Sequence, residues 1–280
     1  MTRSSFFAGV ARRPITVGGT PAFSPLFIES AALLGTLHTA RTAAVVDLLP
    51  RGRYRPIEVL PGRAVVGIFA AEYRQTDIGP YNEVGLGLLV SLGRPRGAAR
   101  PGGMLSTLTQ ALVRRDVGVF VADLPVTTEL ARVGGVEWFN FPKYVADIAF
   151  RDTADHRIAT VREGRSMDLV VELQGWRPRR SRLAQWAPRL LAGPERLRIQ
   201  TLSEIGGRAF GARFELRLAD ASLGLGVGAA LRLGPHPRAA AYRSLDLSRP
   251  LLTLFAPECE GILHEPVALA ADPATEGART

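Results

Sequence analysis

The segment "AFGARFELRL", residues 209–218, alternates apolar and charged residues. Phe210, Ala212, Phe214, Leu216 and Leu218 fall on one side, and Arg213, Glu215 and Arg217 on the other. Successive side chains of a strand point to opposite faces, so a period of two reads as a half-buried antiparallel strand, not a helix. The rest of the chain is built to the same scale. "RAVVGIFAAEY" (63–73), "EVGLGLLVSL" (83–92) and "VGVFVADL" (117–124) are short apolar runs ended by Gly, Pro or Asp, as buried strands are. "HRIATVRE" (156–163) and "MDLVVELQG" (167–175) continue the series across the turn-like "GRS". "SLGLGVGAALRL" (222–233) adds a glycine-rich strand, where missing side chains permit sharp bending or close approach.

Helices are fewer. "MLSTLTQALVRR" (104–115) gathers Leu105, Leu108, Ala111 and Leu112 on one face and ends in arginines, which suit a helix C-terminus. "VTTELARVGG" (126–135) offers a Thr cap, an acidic first turn and glycines to stop it, and "RTAAVVDLLP" (41–50) predicts a short helix closed by Pro50. The Pro/Gly/Arg-rich 93–103 reads as a loop, not a domain linker, because strands of the same character resume beyond it. The expected architecture is therefore a mainly β (α+β) domain, with one curved or closed antiparallel sheet and a few short helices. That domain is expected over 25–266, between a frayed leader (1–24) and a flexible tail (267–280).

A chain of 280 residues can bury a sizeable core, and 46% hydrophobic content is ordinary for a globular protein. The single Cys259 excludes an intrachain disulfide and fits a reducing cytoplasm. No apolar run approaches the roughly 18 residues that span a bilayer, so no membrane partner is expected. The net charge of +9 is concentrated in 175–198, where arginines lie between Trp176 and Trp186. Such a stretch could contact phosphates and bases. No zinc, helix-turn-helix or RNA-recognition signature accompanies it, and nucleic acid is not the expected partner.

Lys143 is the only lysine among 35 Lys plus Arg. Loss of lysine codons from a GC-rich genome is the ordinary explanation for such a bias. The neighbours give the survivor chemical interest: Trp138, Phe139, Phe141, Pro142 and Tyr144 make this one of the most aromatic stretches of the chain. Apolar surroundings penalise an ammonium and favour the free, nucleophilic amine, an option guanidinium lacks. Upstream, "DIGPYNE" presents Asp77, Tyr81 and Glu83 where a turn enters an apolar strand. A carboxylate at such a mouth can serve as a general acid or base, or simply as a turn residue.

"IGPYNE" followed by a glycine-rich strand, and then "GGVEWFNFPK", resemble the acetoacetate decarboxylase family, as does the closing segment 233–266. The resemblance implies that Lys143 is the Schiff-base lysine and Glu83 the active-site acid. Gly135 and Glu137 match the glycine and glutamate upstream of the lysine. It further implies a pocket formed with Tyr81, Glu137, Trp138 and Phe141, no metal or organic cofactor, a small-molecule keto acid as substrate, and a homo-oligomer. The sequence departs from the prototypes in carrying Tyr144 in place of a second lysine and Val136 in place of an arginine. It has no arginine in "FIESAALLG", and only Glu72 near the position of a second glutamate. The expected activity is a Schiff-base lyase that decarboxylates a keto acid through Lys143. The alternatives are aldolase or dehydratase chemistry on the same iminium, and a ligand-binding homologue without catalysis.

Overall fold

The computed structural model describes residues 4–92, 117–177, 196–226 and 228–269. A 3-10 turn, Ser5–Phe7, precedes the hairpin β1 (Arg13–Val17) and β2 (Thr20–Ser24). Then follow β3 (Leu26–Arg41), helix α1 (Thr42–Leu48), and the short β4 (Tyr54–Pro56) and β5 (Glu58–Leu60). Three long strands come next: β6 (Arg63–Thr76), β7 (Tyr81–Leu92) and β8 (Val117–Val126). Helix α2 (Glu129–Phe139) leads through β9 (Lys143–Val145) into β10 (Asp147–Asp152), β11 (His156–Glu163) and β12 (Asp168–Trp176). The remaining described elements are β13 (Arg196–Ile205), β14 (Arg208–Ala219), β15 (Ser222–Leu225), β16 (Ala230–Leu233), helix α3 (Ala239–Ser244), β17 (Leu252–Leu263) and β18 (Val267–Ala268).

Strands β17, β3, β6, β7, β8, β13 and β14 pair in that order, and β14 returns to β17, closing a seven-stranded barrel. Strand direction must reverse an even number of times around a closed ring, so an odd strand count requires a parallel contact. The β8–β13 pair supplies it, and the other six contacts are antiparallel. A parallel pair needs a long crossover. Here the crossover carries α2, β9 and three strands of a second sheet, ordered β10-β11-β12-β16.

The period of two decides what each barrel residue does. On β6, Val66, Ile68 and Ala70 point outward; on β7, Val84, Leu86 and Leu88 do the same. They pack with Leu34 against Ala159, Val161, Val171 and Leu173 of the second sheet, forming the main core. Each such side chain removed from water contributes about 1.5–3 kcal/mol. The intervening residues, among them Gly67, Phe69, Ala71, Glu83 and Leu89, face a hollow inside the barrel. On β14 the alternation read from sequence holds, with Phe214, Leu216 and Leu218 turned to the hollow. Arg213 and Arg217 pair outside with Glu215 and Glu260.

Several expectations are corrected. Residues 4–24 are not frayed. Phe6 and Phe7 are buried against Phe27 and Ile262, and Arg12 pairs with Asp77 while stacking on Phe23 and Phe27. That pairing makes Asp77 an anchor for the N-terminal segment. At the other end, β18 pairs with β14 and Leu269 joins the core, so the tail is fixed at least that far. Helix α2 starts at the expected Thr cap, whose hydroxyl accepts from the Ala131 amide, but it runs past Gly134 and Gly135. Both glycines are buried mid-helix, and the stop comes at Asn140, left-handed at φ 52°, followed by Pro142. The glycine-rich strand at 222–233 is two strands, because the chain leaves β17 for the second sheet. Gly226 permits the crossing: a Cβ there would lie 1.8 Å from the Pro250 carbonyl oxygen. The expected helix at 104–115, the loop at 93–103 and Trp186 lie outside the described residues. No described helix is long and apolar enough to cross a membrane.

Candidate active site

Residues Lys143 and Glu83, sixty positions apart, meet across β8. Glu83 on β7 lies opposite Val126, and Lys143 on β9 lies beside Leu124 in a parallel pairing. Strand β13 pairs with β8 only near Val119 and Phe120, which leaves the later part of that edge free for β9. The lysine Nζ donates to Glu83 Oε2 at 2.6 Å, and each side chain is only 7% exposed. The other carboxylate oxygen, Oε1, accepts from the Tyr73 hydroxyl at 3.2 Å. Tyr73 and Tyr81 contact each other with ring centres 4.6 Å apart, and the amine lies 5.4 Å from the centre of the Tyr81 ring. Burial, with the Glu83 charge adding to it, holds both phenols well above their ordinary range, so they remain hydrogen-bond donors.

The lysine stem is set by α2. A Cβ placed on Gly135 would stand 2.2 Å from Lys143 Cδ and 2.5 Å from Cε, so only glycine lets the stem lie against the helix. The Asn140 and Phe141 amides both fold back onto the Gly135 carbonyl, which fixes the short link from helix to lysine. Next in the chain, Tyr144 points the opposite way, as strand geometry demands. Its hydroxyl reaches Asp123 at 3.5 Å, and the Arg238 guanidinium lies 3.6 Å from its ring centre. Position 144 therefore belongs to the core between the barrel and the second sheet.

These groups sit in the wall of a cavity of about 1190 Å³ that occupies the barrel interior. Tyr81 and Phe141 line it with Lys143 and Glu83. The other two expected pocket residues do not reach it. Glu137 is exposed on α2, and Trp138 lies on the helix exterior with the Arg13 guanidinium 5.5 Å away. Glu137, two residues beyond Gly135, falls on the opposite side of α2 from the face that meets the lysine. Glu72 is likewise turned out of the barrel, between Ala71 and Tyr73, and pairs with Arg157 and Arg74. Tyr73 was passed over in the sequence. The signal was its place in the Phe69–Ala71–Tyr73 alternation, opposite Tyr81 across the strand pair. Among the described residues, no group of three His, Cys, Asp or Glu side chains is placed to hold a metal ion.

A seven-stranded barrel enclosing a buried lysine–carboxylate pair in an apolar cavity defines the class of fold and site. The family comparison gives that class its name. Residues 13–183 match the family model described as acetoacetate decarboxylase (ADC), and the chain belongs to that family. Solved structures agree on the fold. Acetoacetate decarboxylase from Legionella pneumophila superposes with a TM-score of 0.59 at 17% identity, covering 94% of this chain and 93% of its own. An acetoacetate decarboxylase-like enzyme from Sphingomonas wittichii gives 0.55 at 16%, with 88% and 92% covered. The enduracididine biosynthesis enzyme MppR, complexed with the condensation product of pyruvate and imidazole 4-carboxaldehyde, gives 0.55 at 12%, with 88% of each chain covered. No curated protein matches the chain.

Proposed function

We propose that the protein is a Schiff-base lyase that decarboxylates a keto acid through Lys143, without a metal or organic cofactor. One observation carries this reading above the others: the only lysine of the chain is buried in the cavity wall and bonded at 2.6 Å to a buried carboxylate. With the proton on Glu83, the free amine attacks the ketone carbon. The carbinolamine takes a proton from Glu83 and loses water, leaving an iminium. The electrons of the bond to the carboxylate then pass to the iminium nitrogen as CO2 departs, giving an enamine. Protonation of the enamine carbon and hydrolysis of the new iminium release the ketone and restore the amine. Tyr73 holds Glu83 by its other oxygen, so Oε2 stays directed at the nitrogen throughout.

A second reading, addition of the enamine to an aldehyde, is favoured by one feature of the wall. Among the described lining residues, Lys143 is the sole buried cation; the other two, Arg198 and Arg213, have side chains 68% and 53% exposed. Among the described residues, a substrate carboxylate therefore has no second buried cation beside the amine. MppR, bound to a condensation product of pyruvate and an aldehyde, is the relative this second reading resembles. Incubation with acetoacetate and borohydride, followed by mass analysis, tests the common intermediate. The expected result is one reduced adduct on Lys143, absent in Lys143→Arg, because guanidinium is not deprotonated in proteins. An adduct-free wild-type chain, tested against acetoacetate and pyruvate, would overturn both readings. Carbon dioxide release against aldehyde consumption separates them.

A further inference from the structure

The hollow is larger than a small keto acid needs. At about 1190 Å³ it exceeds the roughly 300–1,000 Å³ of pockets that enclose drug-sized ligands. Its buried charged wall residues are Lys143 and Glu83, while Arg198 and Arg213, which also border it, carry exposed side chains paired with Glu215. The rest of the wall is predominantly leucine, valine, isoleucine and phenylalanine, with Thr36, Gln200, Thr201 and Thr253 among them. Strand β8 gives the depth: from Leu124 beside the lysine to Val119 is five residues, roughly 16 Å at ordinary strand rise. Val119 there joins Leu37, Leu89 and Leu252 in an apolar cluster at the far end.

Two glycines on this wall are explained by neither backbone nor packing. Neither Gly35 nor Gly67 has a positive φ. A Cβ on Gly67 would meet Leu37 at 3.5 Å, and one on Gly35 would meet Leu254 at 3.8 Å, both ordinary contacts. Gly85 and Gly87 differ, because Phe69 and Val119 already occupy the space beside them. Strand-interior glycine weakens a sheet and often marks a site of close approach by a ligand. At 35 and 67 its effect is to widen the bore.

We infer that the substrate carries an extended apolar tail, of roughly ten carbons by the strand-rise depth, lying along the bore from Lys143 toward the Leu37–Val119 cluster. The inference rests on the Schiff-base reading for the reacting end and on the bore alone for the tail. The ligand class is a keto acid with a long alkyl chain, its carbonyl at the lysine.

The test is a chain-length series of acetoacetate, β-ketohexanoate, β-ketooctanoate and β-ketododecanoate, followed by carbon dioxide release and by borohydride trapping. Burial of each added methylene is expected to raise kcat/KM about fourfold until the bore is filled. Gly67→Leu, and Gly35→Val should the first variant not fold, are expected to flatten that rise. A flat or falling series in the wild type, with trapping on Lys143 intact, overturns the tail and leaves the Schiff-base reading standing. If no member is trapped, displacement of bound anilinonaphthalene sulfonate decides the tail separately. Decanoate displacing it at least tenfold more tightly than acetate, with the advantage lost in Gly67→Leu, supports the tail. Equal displacement by both acids overturns it.

Discussion

Replacing Gly135 by alanine adds one methyl group where the lysine stem runs. The new carbon would lie 2.2 Å from Cδ, 2.5 Å from Cε and 3.0 Å from Cγ of Lys143, against about 3.5–4.0 Å for carbons in contact. The stem must yield by more than about 1 Å. It has little freedom to do so, since the amine is bonded to Glu83 and both side chains are 7% exposed. Stability and function should therefore separate. Alanine gains about 1 kcal/mol over glycine inside a helix, and overpacking costs about 1–3 kcal/mol, so the net loss is at most about 2 kcal/mol. A displacement of this size costs on the order of 100-fold in turnover of a positioned group. Gly134→Ala is the control, because its Cβ would meet Val17 at 3.0 Å and does not approach the lysine. The measurements are thermal melting, rate of borohydride trapping with acetoacetate, and carbon dioxide release. A Gly135→Ala protein trapped at the wild-type rate would refute the reasoning, since the lysine could then reach its working position without the space that glycine leaves.

Glu83→Gln should lower turnover about 10²–10⁴-fold with little change in binding of a keto-acid analogue; lower melting temperature with unchanged turnover would assign Glu83 a structural role only. Tyr73→Phe removes the hydroxyl on Glu83 Oε1, and a stability loss of about 1 kcal/mol should accompany a displaced pH profile of turnover; an unmoved profile would contradict its positioning of Glu83. Lys143→Met leaves the Glu83 carboxylate buried without its cation, so the melting temperature should fall and recover partly in the double variant with Glu83→Gln. Asp123 supplies a pH prediction. Burial pushes its carboxyl up to about 6, against hydrogen bonds from Tyr242 and Tyr144 and the nearby Arg238 charge. A carboxyl raised on folding stabilises the fold below its unfolded pKa of about 3.9, and that contribution is lost as pH rises through 6. Melting temperature relative to Asp123→Asn should therefore fall between pH 4 and pH 6; a difference independent of pH would refute this. The family resemblance also implies a homo-oligomer, which light scattering in solution tests directly.

The strands were legible because their cause is local. A period of two and a bounding Gly, Pro or Asp act within a few residues, so 63–73, 83–92, 156–163 and 209–218 could be assigned with edges moved by no more than a few positions. Helix α1 was equally plain, closing before Pro50. The chemistry of the site was also present in the chain, since one lysine among arginines and one "GPYNE" segment needed no partner to be noticed. The sequence could not show which side of each strand faces a packed core and which faces a hollow, because both sides of β6 and β7 are apolar and only the position of the second sheet distinguishes them. Nor could it place Glu137 and Trp138 outside the cavity, which depends on the direction from which α2 approaches the lysine. The glycines at 134 and 135 read as a helix stop, yet they are packing positions that exist because Val17 and Lys143 arrive from elsewhere in the chain. Phe6 and Phe7 looked like a leader for the same reason: their partners, Phe27 and Ile262, are brought to them only when the barrel closes. Local periodicity determined the elements and the reactive residue types. Closure of seven strands through one parallel pair decided that Lys143, Glu83 and Tyr73 share a single wall.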